Sequence, residues 1–252
     1  MNFQEITQYE RKLFNDGIKY VAGIDEVGRG PLAGPFVVSA VILDLEKIFD
    51  KDLWDLLENK EKNQRAEKPK NNDVGYIETT LKEKFNRDER LLYTQIRDSK
   101  KVSPKKRNIL SDFIKKEAIS YSVEVFQPEE VDEMGISELT QVAFFNAVRN
   151  LKIKPQFVLT DTFEIRKITK EQQLNIVSGD NKSISIASAS IVAKVFRDNI
   201  MIDMHKKYPV YGFDHHKGYG TKYHIEALCA HGPCEIHRKS FEPLKTLIKK
   251  SL

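Results

Sequence analysis

Residues 21–35 read VAGIDEVGRGPLAGP, and the rest of the chain is organised around this stretch. The apolar residues Val21 and Ile24 predict a short buried strand. Asp25 and Glu26 interrupt it, and a run rich in glycine and proline then leaves little room for regular structure. Because side chains alternate faces along a strand, the two carboxylates begin on opposite sides of the sheet. They can share one site only if the backbone turns there, or if one of them binds through its backbone carbonyl.

The oxygen atoms of this stretch are suited to a divalent cation. Carboxylates and carbonyls are hard ligands of the kind that Mg²⁺ and Mn²⁺ prefer. The loop that follows is made of small residues, and glycine lets another backbone come close. A metal beside such a loop indicates phosphodiester chemistry. The alternative is an edge strand with a turn and two solvated acids.

The same residues carry a family resemblance. Residues 23–35 are similar, without a gap, to the first motif of the type 2 ribonucleases H, in the form carried by bacterial ribonuclease HII. The resemblance covers 21–43 and 98–247, which leaves out the N-terminal residues and a segment in the middle of the chain.

The composition describes a charge-rich globular protein of 252 residues, long enough for a sizeable core. No apolar run approaches membrane-spanning length, and the first twenty residues lack a signal-peptide core, so we expect a cytoplasmic protein with no membrane partner. Cys229 and Cys234 are the only cysteines, too few for a disulfide framework. A net charge of +4 fits a polyanionic partner only weakly.

Hydrophobic patterning predicts an α/β protein with helices on both faces of a mixed five-stranded sheet. The first three strands, at 20–27, 36–43 and 121–126, are expected to be antiparallel, and strands at 157–161 and 174–178 extend the sheet. Helices are predicted at 3–15, 104–118, 137–151, 185–205 and 243–250. Two helix faces are predicted to be buried, one with Leu139, Val142, Phe145 and Val148, the other with Ile186, Ala189, Ala193, Phe196 and Ile200.

A charged segment at 45–97 departs from the family, whose connection at this point is much shorter. Within it we expect a helical turn at 52–57, a mobile stretch at 58–73 and a helix at 76–96. The segment is either an arm that grips nucleic acid or a tolerated surface insertion. Because its charges are nearly balanced, we favour the insertion.

Asp98, Ser99 and Lys100 precede a helix that begins at Pro104, with Ser103 as its N-cap. Amide groups at a helix start, together with a lysine pair, can hold a phosphate, although a lysine pair is also typical of a solvated face. The family has a matching motif associated with substrate phosphate. The resemblance therefore assigns Ser99 and Lys100 to substrate binding.

Two further carboxylates complete a candidate site. Asp161 ends an apolar strand, where open α/β sheets place ligands. The family usually has glycine after this aspartate, but this chain has Thr162, which puts the local turn in doubt. Asp180 and Asp198 both lie in a stretch similar to the family's third block. The block points to Asp180 as the fourth acid, whereas Asp198, near Arg197 and Lys194, is expected to be an ion-paired structural acid.

The last fifth of the chain contains all six histidines. The sequence HHKGYGT at 215–221 resembles a family block whose tyrosine, here Tyr219, packs against the nucleotide beside the ribose. Cys229, His231, Cys234 and His237 could be interpreted as a zinc site, but the histidines are crowded against the cysteines.

These observations and the resemblance together predict an endonuclease. Four acids gathered at one end of a sheet repel one another unless divalent cations neutralise them. Asp25, Glu26, Asp161 and Asp180 are the predicted catalytic and metal-binding residues, holding two Mg²⁺ or Mn²⁺ ions about 4 Å apart. Backbone groups of Gly28, Arg29 and Gly30 are predicted to sense a 2′-hydroxyl, which distinguishes RNA from DNA.

The resemblance supplies the substrate and the setting. It implies cleavage of RNA paired with DNA, or of DNA duplexes containing ribonucleotides, to leave 3′-hydroxyl and 5′-phosphate ends during ribonucleotide removal, replication and repair. We expect a catalytic domain at 1–205 and a helical C-terminal region at 206–252 that closes over the site. Nothing in the sequence demands more than a monomer. The alternatives are another two-metal nuclease or nucleotidyl-transfer enzyme of the same fold, or a nucleic-acid-binding module that has lost catalysis.

Overall fold

A five-stranded sheet in the order β3-β2-β1-β4-β5 forms the centre of the protein. The structure is a computed structural model that describes residues 3–51 and 90–246. β2 is antiparallel to β1 and β3, β4 is parallel to β1, and β5 is parallel to β4, so the predicted mixed sheet is confirmed. The strands are β1 (Val21–Val27), β2 (Phe36–Ile42), β3 (Ser120–Phe126), β4 (Phe157–Asp161) and β5 (Gln173–Ile176).

Helices cover both faces of this sheet. The longest, α7, packs with α4 in one hydrophobic core, whereas α6 forms the core on the opposite face. β2 lies between the two cores and is buried along its whole length, as expected for a strand covered on both faces. The helices in the described ranges are α1 (Phe3–Ile6), α2 (Gln8–Asn15), α3 (Leu45–Ile48), α4 (Pro104–Glu117), α5 (Pro128–Met134), α6 (Ile136–Arg149), α7 (Ile184–Lys207), α8 (Phe213–His216) and α9 (Lys222–His231).

Local hydrogen bonding moves two of the predicted boundaries. The predicted N-terminal helix is interrupted at Thr7, whose Oγ1 donates to the carbonyl of Phe3 at 2.8 Å and competes with the helical pattern. β5 lies slightly earlier than predicted, because the chain leaves the sheet after Ile176 and adopts a left-handed conformation at Ser178, with φ of 56°.

The buried face of α6 is rotated by about one residue from the predicted one. Leu139 is buried as predicted, but Val142, Phe145 and Val148 are only partly buried. Ala143 and Ala147 allow the helix to approach the sheet closely, so the face that carries these small residues points toward the sheet. The residues that the structure buries on α6 are Leu139, Thr140, Ala143, Phe144 and Ala147.

In α7 the predicted face is correct only at its start. Ile186, Ala189 and Ala193 are buried, but Phe196 is 37% exposed. Arg197 and Met201 take the buried positions instead, because this end of the helix faces the residues after β1 and not the sheet.

Some of the sequence predictions fall outside the described residues. These are the helical turn at 52–57, the mobile stretch at 58–73 and most of the helix at 76–96, whose described end contains a 3-10 turn at Tyr93–Gln95. The helix predicted at 243–250 lies partly outside them as well. No helix in the described ranges has the length and apolar character needed to span a bilayer.

A small helical part at the C-terminus packs on the residues that follow β1. Its core joins Phe213 and Leu228 to Leu32, Ala33 and Met201. α7 ends at Lys207 and so passes through the boundary predicted at 205. The division of the chain into two domains stays a prediction.

Gly23 sets how closely β1 approaches α7. A Cβ atom at this position would lie 2.0 Å from the carbonyl carbon of Ser185 and 2.4 Å from the amide nitrogen of Ile186. Both are backbone atoms of a buried helix and cannot rotate away.

We expect the substitution Gly23→Ala to lower the midpoint of thermal unfolding by about 10 °C, because overpacking of this kind costs about 3 kcal/mol. Gly30→Ala is the matched control, since a Cβ there meets no atom within 4 Å. Differential scanning calorimetry of both variants tests this expectation. Equal shifts for the two variants would contradict it.

Candidate functional site

β1 and β4 end side by side and bring carboxylates to one end of the sheet. Ile24 lies opposite Thr160 in the parallel pair, so Asp25 and Asp161 follow at the same level. Asp25 is 6% exposed, and its Oδ1 accepts a hydrogen bond from the amide of Glu26 at 2.7 Å. β1 stays extended as far as Val27, so the backbone turn considered for this pair is not observed, and the backbone carbonyl is the route by which Glu26 can share a site with Asp25.

Asp180 lies beside this pair of strands. It belongs to the 3-10 turn Gly179–Asn181, and the amide of Gly179 donates to Oδ1 of Asp161 at 2.7 Å. This bond ties the turn to the end of β4. Asn181 Nδ2 in turn donates to Oδ1 of Asp180 at 2.8 Å. Because Gly179 is bonded to Asp161, Asp180 lies at the same end of the sheet as Asp25 and Asp161. Asp180 is 5% exposed.

The carboxylates influence one another electrostatically. Burial raises the pKa of Asp25 well above its usual range, and Glu26 and Asp161 raise it further. Burial also raises the pKa of Glu26 to about 7, although Arg29 acts in the opposite direction. For Asp180, burial, Asp98 and Asp161 all raise the pKa. We call Asp25, Glu26, Asp161 and Asp180 the acidic cluster.

The chemistry of the acidic cluster fits a divalent cation. Its donors are all oxygen atoms, and Oε2 of Glu26 is buried without a hydrogen-bond partner in the described part of the chain. As the side chains stand, no three histidine, cysteine, aspartate or glutamate residues of 3–51 and 90–246 are grouped closely enough to hold an ion. Asp161 is near enough to Asp25, Glu26 and Asp180 to raise the pKa of each, but side-chain rotation is required to bring these residues onto one cation.

The raised pKa of Glu26 predicts how stability varies with pH. The folded carboxyl titrates at about 7 and the unfolded one near 4.5, so between these values the folded state holds more protons. The free energy of unfolding then falls as pH rises through this window. In a chelator, we expect the unfolding midpoint to decrease from pH 5 to pH 8, and this decrease to be smaller in Glu26→Gln.

A divalent cation should reverse the loss at the upper end of this range, because it binds the deprotonated carboxylates. Thermal unfolding with and without Mn²⁺ at pH 5 and pH 8 measures both effects. A larger stabilisation by Mn²⁺ at pH 5 than at pH 8 would contradict this interpretation.

Two buried arginines hold the glycine-rich loop, which we define as residues 28–35. Arg197 donates through Nε to the carbonyl of Pro35 at 2.9 Å and through Nη2 to that of Ala33 at 3.1 Å. Arg238 donates through Nε and Nη2 to the carbonyl of Gly34 at 3.0 and 2.8 Å, and through Nη1 to that of Arg29 at 3.2 Å. These bonds fix the loop from its inner side.

Sequence reasoning did not identify either arginine as part of the site. Arg197 was expected near Asp198, but Asp198 is paired with Lys194 at 2.7 Å and Arg107 at 3.1 Å. The ion-paired state predicted for Asp198 is therefore present, with Arg107 in place of Arg197. A signal was available, since Arg197 is a charged residue on a stripe that is otherwise apolar.

The fold places Tyr219 next to the glycine-rich loop. The amide of Leu32 donates to the carbonyl of Gly218 at 2.8 Å, and a Cβ on Gly218 would lie 2.2 Å from the carbonyl oxygen of Ala33. The Tyr219 ring is 43% exposed, and the guanidinium carbon of Arg197 lies 5.9 Å from its centre. One buried cation thus contacts both elements that were predicted to bind the nucleotide.

Within the glycine-rich loop, Gly30 is the exposed residue, whereas Gly28 and residues 31–35 are buried. Gly28 adopts a φ of +93°, which glycine tolerates. The Arg29 side chain is held by α6 and by Phe163. Its Nη1 donates to Oγ1 of Thr140 at 2.6 Å, and its guanidinium stacks on Phe163 at 4.5 Å from the ring centre.

Ser99 and Lys100, beside the acidic cluster, differ in exposure to solvent. Lys100 is exposed; burial lowers its pKa, but Asp180, Asp98 and the other carboxylates together outweigh this and raise it. Ser99 is 3% exposed, and its hydroxyl accepts a hydrogen bond from Oγ of Ser190 at 3.0 Å. Lys100 is therefore available to a phosphate, whereas the Ser99 hydroxyl is buried. Ser103 is the N-cap of α4 as predicted, but its side chain makes no capping bond.

Thr162, where the family usually has glycine, adopts a left-handed conformation with φ of 60°. This region is strained for a β-branched residue. Its amide donates to the carbonyl of Ile176 at 3.1 Å and its hydroxyl to Oδ1 of Asp161 at 3.3 Å. The turn that follows Asp161 is thus kept, with threonine in a position that favours glycine.

The cysteines and histidines considered for zinc are used otherwise. Cys229 is exposed, while Sγ of Cys234 lies 3.1 Å from Nδ1 of His237. The other ring nitrogen of His237 is 3.0 Å from Nε2 of His224. His237 is therefore bound on both sides by protein groups.

Comparisons with known proteins agree on one family. A family model described as ribonuclease HII matches residues 81–244. A ribonuclease HII from Caldicellulosiruptor bescii is 41% identical over 240 residues, which cover 95% of this chain and 93% of that protein.

Solved structures share the fold. The ribonuclease H2 from Pyrococcus horikoshii OT3 superposes with a TM-score of 0.63 at 23% identity, covering 91% of this chain and 97% of that one. A Bst ribonuclease HIII solved in complex with Mn²⁺ superposes with a TM-score of 0.59 at 16% identity, covering 92% of this chain and 70% of that one. Both support the ribonuclease H-like sheet flanked by helices.

Proposed function

Because this chain belongs to the ribonuclease HII family, we propose that the acidic cluster cleaves the RNA strand of nucleic acid bound beside the glycine-rich loop. Membership of the family makes the protein an endonuclease, a hydrolase that acts on RNA paired with DNA. The proposal adds the residues, the nicking of duplex DNA at embedded ribonucleotides and the ends that are left. The observation that carries it is the meeting of the acidic cluster, in which Asp25 and Asp180 are buried, with a loop that is exposed at Gly30.

The four acids are proposed to hold two divalent cations, Mg²⁺ or Mn²⁺. Support comes from Asp161, whose charge raises the pKa of Asp25, Glu26 and Asp180. When bound, such ions activate the attacking water and stabilise the leaving 3′-oxygen. Asp25 and Asp161 each accept a hydrogen bond from a backbone amide, so one oxygen of each carboxylate is anchored to the backbone, and the side chains must still rotate to share a cation.

The scissile phosphate is proposed to contact Lys100. Its ammonium group is exposed and lies within the field of the acidic cluster, where it partly offsets the repulsion between the acids and an approaching phosphate. We propose that Ser99 stabilises the turn that carries Lys100, through its hydrogen bond with Ser190. Arg107 Nε, which donates to the carbonyl of Ser99 at 2.8 Å, holds the same turn.

Recognition of the ribose is proposed to depend on Gly28, Arg29 and Gly30 together with Tyr219. A 2′-hydroxyl both donates and accepts a hydrogen bond, and a backbone amide and carbonyl can pair with it in both ways. Of the three residues, Gly30 is the exposed one. Support comes from the contact between Gly218 and Ala33, which keeps the tyrosine beside the loop. A DNA strand lacks the hydroxyl and leaves those backbone groups without a partner, which lowers its affinity.

The proposed substrates are RNA–DNA hybrids and DNA duplexes that contain single ribonucleotides, and the proposed role is ribonucleotide removal in replication and repair. We further propose that the protein acts as a monomer in the cytoplasm. Sedimentation velocity of the purified chain tests the first of these two statements.

The direct experiment uses a DNA duplex with one ribonucleotide, labelled at its 5′ end, with an all-DNA duplex of the same sequence as control. With Mn²⁺ or Mg²⁺ we expect one nick at the ribonucleotide that leaves a 3′-hydroxyl and a 5′-phosphate. In a chelator we expect none. Nicking of the all-DNA control at a similar rate would favour another nuclease of this fold, and failure to nick either duplex would favour a binding module.

A further inference from the structure

Buried histidines lie behind Tyr219, outside the acidic cluster. His224 and His237 are 0% and 1% exposed, and their Nε2 atoms are 3.0 Å apart. The ring of His216 stacks on that of His224, with centres 4.5 Å apart. Two ring nitrogens at this distance form a hydrogen bond only if one carries a proton and the other does not.

Neighbouring backbone groups decide which nitrogen carries the proton. His224 Nδ1 lies 2.9 Å from the carbonyl oxygen of Tyr219, which can only accept, so Nδ1 is protonated. In a neutral ring, Nε2 of His224 is then an acceptor. At the other end, Nδ1 of His237 lies 3.0 Å from the amide nitrogen of Cys234 and 3.3 Å from its carbonyl oxygen; the shorter contact, with the amide donor, makes Nδ1 an acceptor and puts the proton on Nε2. The two assignments are independent, and both make His237 the donor and His224 the acceptor.

Both rings stay uncharged well below neutral pH. Burial lowers the pKa of His224 to about 4. It lowers the pKa of His237 to about 4 as well, with the neighbouring His224 acting in the same direction. A single defined hydrogen bond, His237 Nε2–H to His224 Nε2, is therefore maintained at neutral pH.

This bond connects the two elements that meet at the nucleotide. On one side, His224 holds the backbone of Tyr219 through its carbonyl. On the other, His237 is paired with Ala33 in an isolated antiparallel bridge, and the amide of Gly34 donates to the carbonyl of Ile236 at 2.8 Å. The next residue, Arg238, binds the carbonyls of the same loop.

We propose that the His224–His237 hydrogen bond is a positioning device that sets Tyr219 relative to the glycine-rich loop, so that both engage the same ribonucleotide. The inference rests on the proposed function, which assigns these two elements to the substrate. His224 and His237 themselves touch neither substrate nor metal. They act through Tyr219.

The test compares two amides at position 237. In His237→Gln the side-chain amide reaches the place of Nε2 and can donate to His224, but the amide of Cys234 loses its acceptor. In His237→Asn the side-chain oxygen takes the place of Nδ1 and can still accept from Cys234, but the bond to His224 is lost. Each variant therefore loses one bond of His237, and only His237→Asn loses the bond to His224. We expect His237→Asn to lower kcat/KM on the single-ribonucleotide duplex about tenfold and His237→Gln to stay within about threefold of the wild type, the effect of losing or keeping one buried hydrogen bond. Equal kcat/KM values for the two variants would overturn the proposal.

A double-mutant cycle separates positioning from general support of the fold. If the bond acts through Tyr219, the difference between the Asn and Gln variants should fall below about twofold in a Tyr219→Ala background. The same tenfold difference in that background would assign the bond a merely structural role and refute the inference. If the wild type does not nick the duplex, or if Tyr219→Ala nicks it as fast as the wild type, the proposed function itself has failed.

Discussion

Asp25→Asn is expected to reduce turnover on an RNA–DNA hybrid by at least about a thousandfold, because it removes a central charge of the proposed cation site. The fold should be retained. Asparagine keeps the oxygen that accepts from the amide of Glu26, and it removes one charge from a buried group of acids that repel one another. We therefore expect the unfolding midpoint of the metal-free variant to equal or exceed that of the wild type.

Asp203→Asn is the matched control for this variant. Asp203 is exposed on α7 and is paired with Lys206 in the next turn, a contact of little energetic value. Its turnover should equal that of the wild type. A stopped-time cleavage assay and a thermal scan, both run on the two variants, give the required numbers. Retained activity in Asp25→Asn would remove the acidic cluster from the mechanism.

Asp180→Asn and Asp198→Asn are expected to have opposite consequences. Asp180 is tied to the acidic cluster through Gly179, so its variant should lose turnover by about a hundredfold or more and remain folded. Asp198 is held between Lys194 and Arg107, and removing it leaves two largely buried cations without their partner. Breaking such a group costs about 3 kcal/mol, so the unfolding midpoint of Asp198→Asn should fall by about 10 °C.

The assignment of the fourth acid is decided by turnover measured well below both unfolding midpoints. If Asp198→Asn loses more turnover than Asp180→Asn under those conditions, the assignment is wrong. A loss of stability in Asp198→Asn alone, with turnover close to that of the wild type, supports Asp180 as the fourth acid and Asp198 as a structural one.

Local sequence patterns predicted the parts of the fold that depend on local physics. Alternation and β-branched residues located β1 and β2, and Pro104 located the start of α4. A further helix, α5, was not predicted, although Pro128 and a reciprocal capping pair, Gln127 and Glu130, mark its start. This helix has seven residues, few of them apolar, so it gives no periodic signal that distinguishes it from a loop.

Features that depend on long-range packing could not be predicted in the same way. The rotation of α6 follows from how closely two alanines let it approach the sheet, and periodicity alone favoured the larger residues. Arg197 and Arg238 bind carbonyls more than 160 residues away in sequence, so no local pattern shows what they bind, although the apolar stripe around Arg197 indicates that it is buried. Both are completely buried, which only the assembled fold reveals.

Glu10 is a further example of a contact that the sequence did not reveal. It is buried in α2 and accepts hydrogen bonds from the hydroxyl of Ser183 and from the amide of Ser185, at 3.0 Å for the latter. The N-terminal helix thus supplies an acceptor at the start of α7, close to the turn that carries Asp180. Burial raises the pKa of Glu10, because the charged form of this carboxyl is disfavoured away from water.

Anomalous diffraction from crystals of the protein soaked in Mn²⁺ tests the central claim most directly. We expect anomalous density contacted by oxygen atoms of Asp25, Glu26, Asp161 and Asp180, after rotation of those side chains and with little movement of the strands. Density that avoids all four carboxylates, or no density at a concentration of Mn²⁺ that supports cleavage, would contradict the claim.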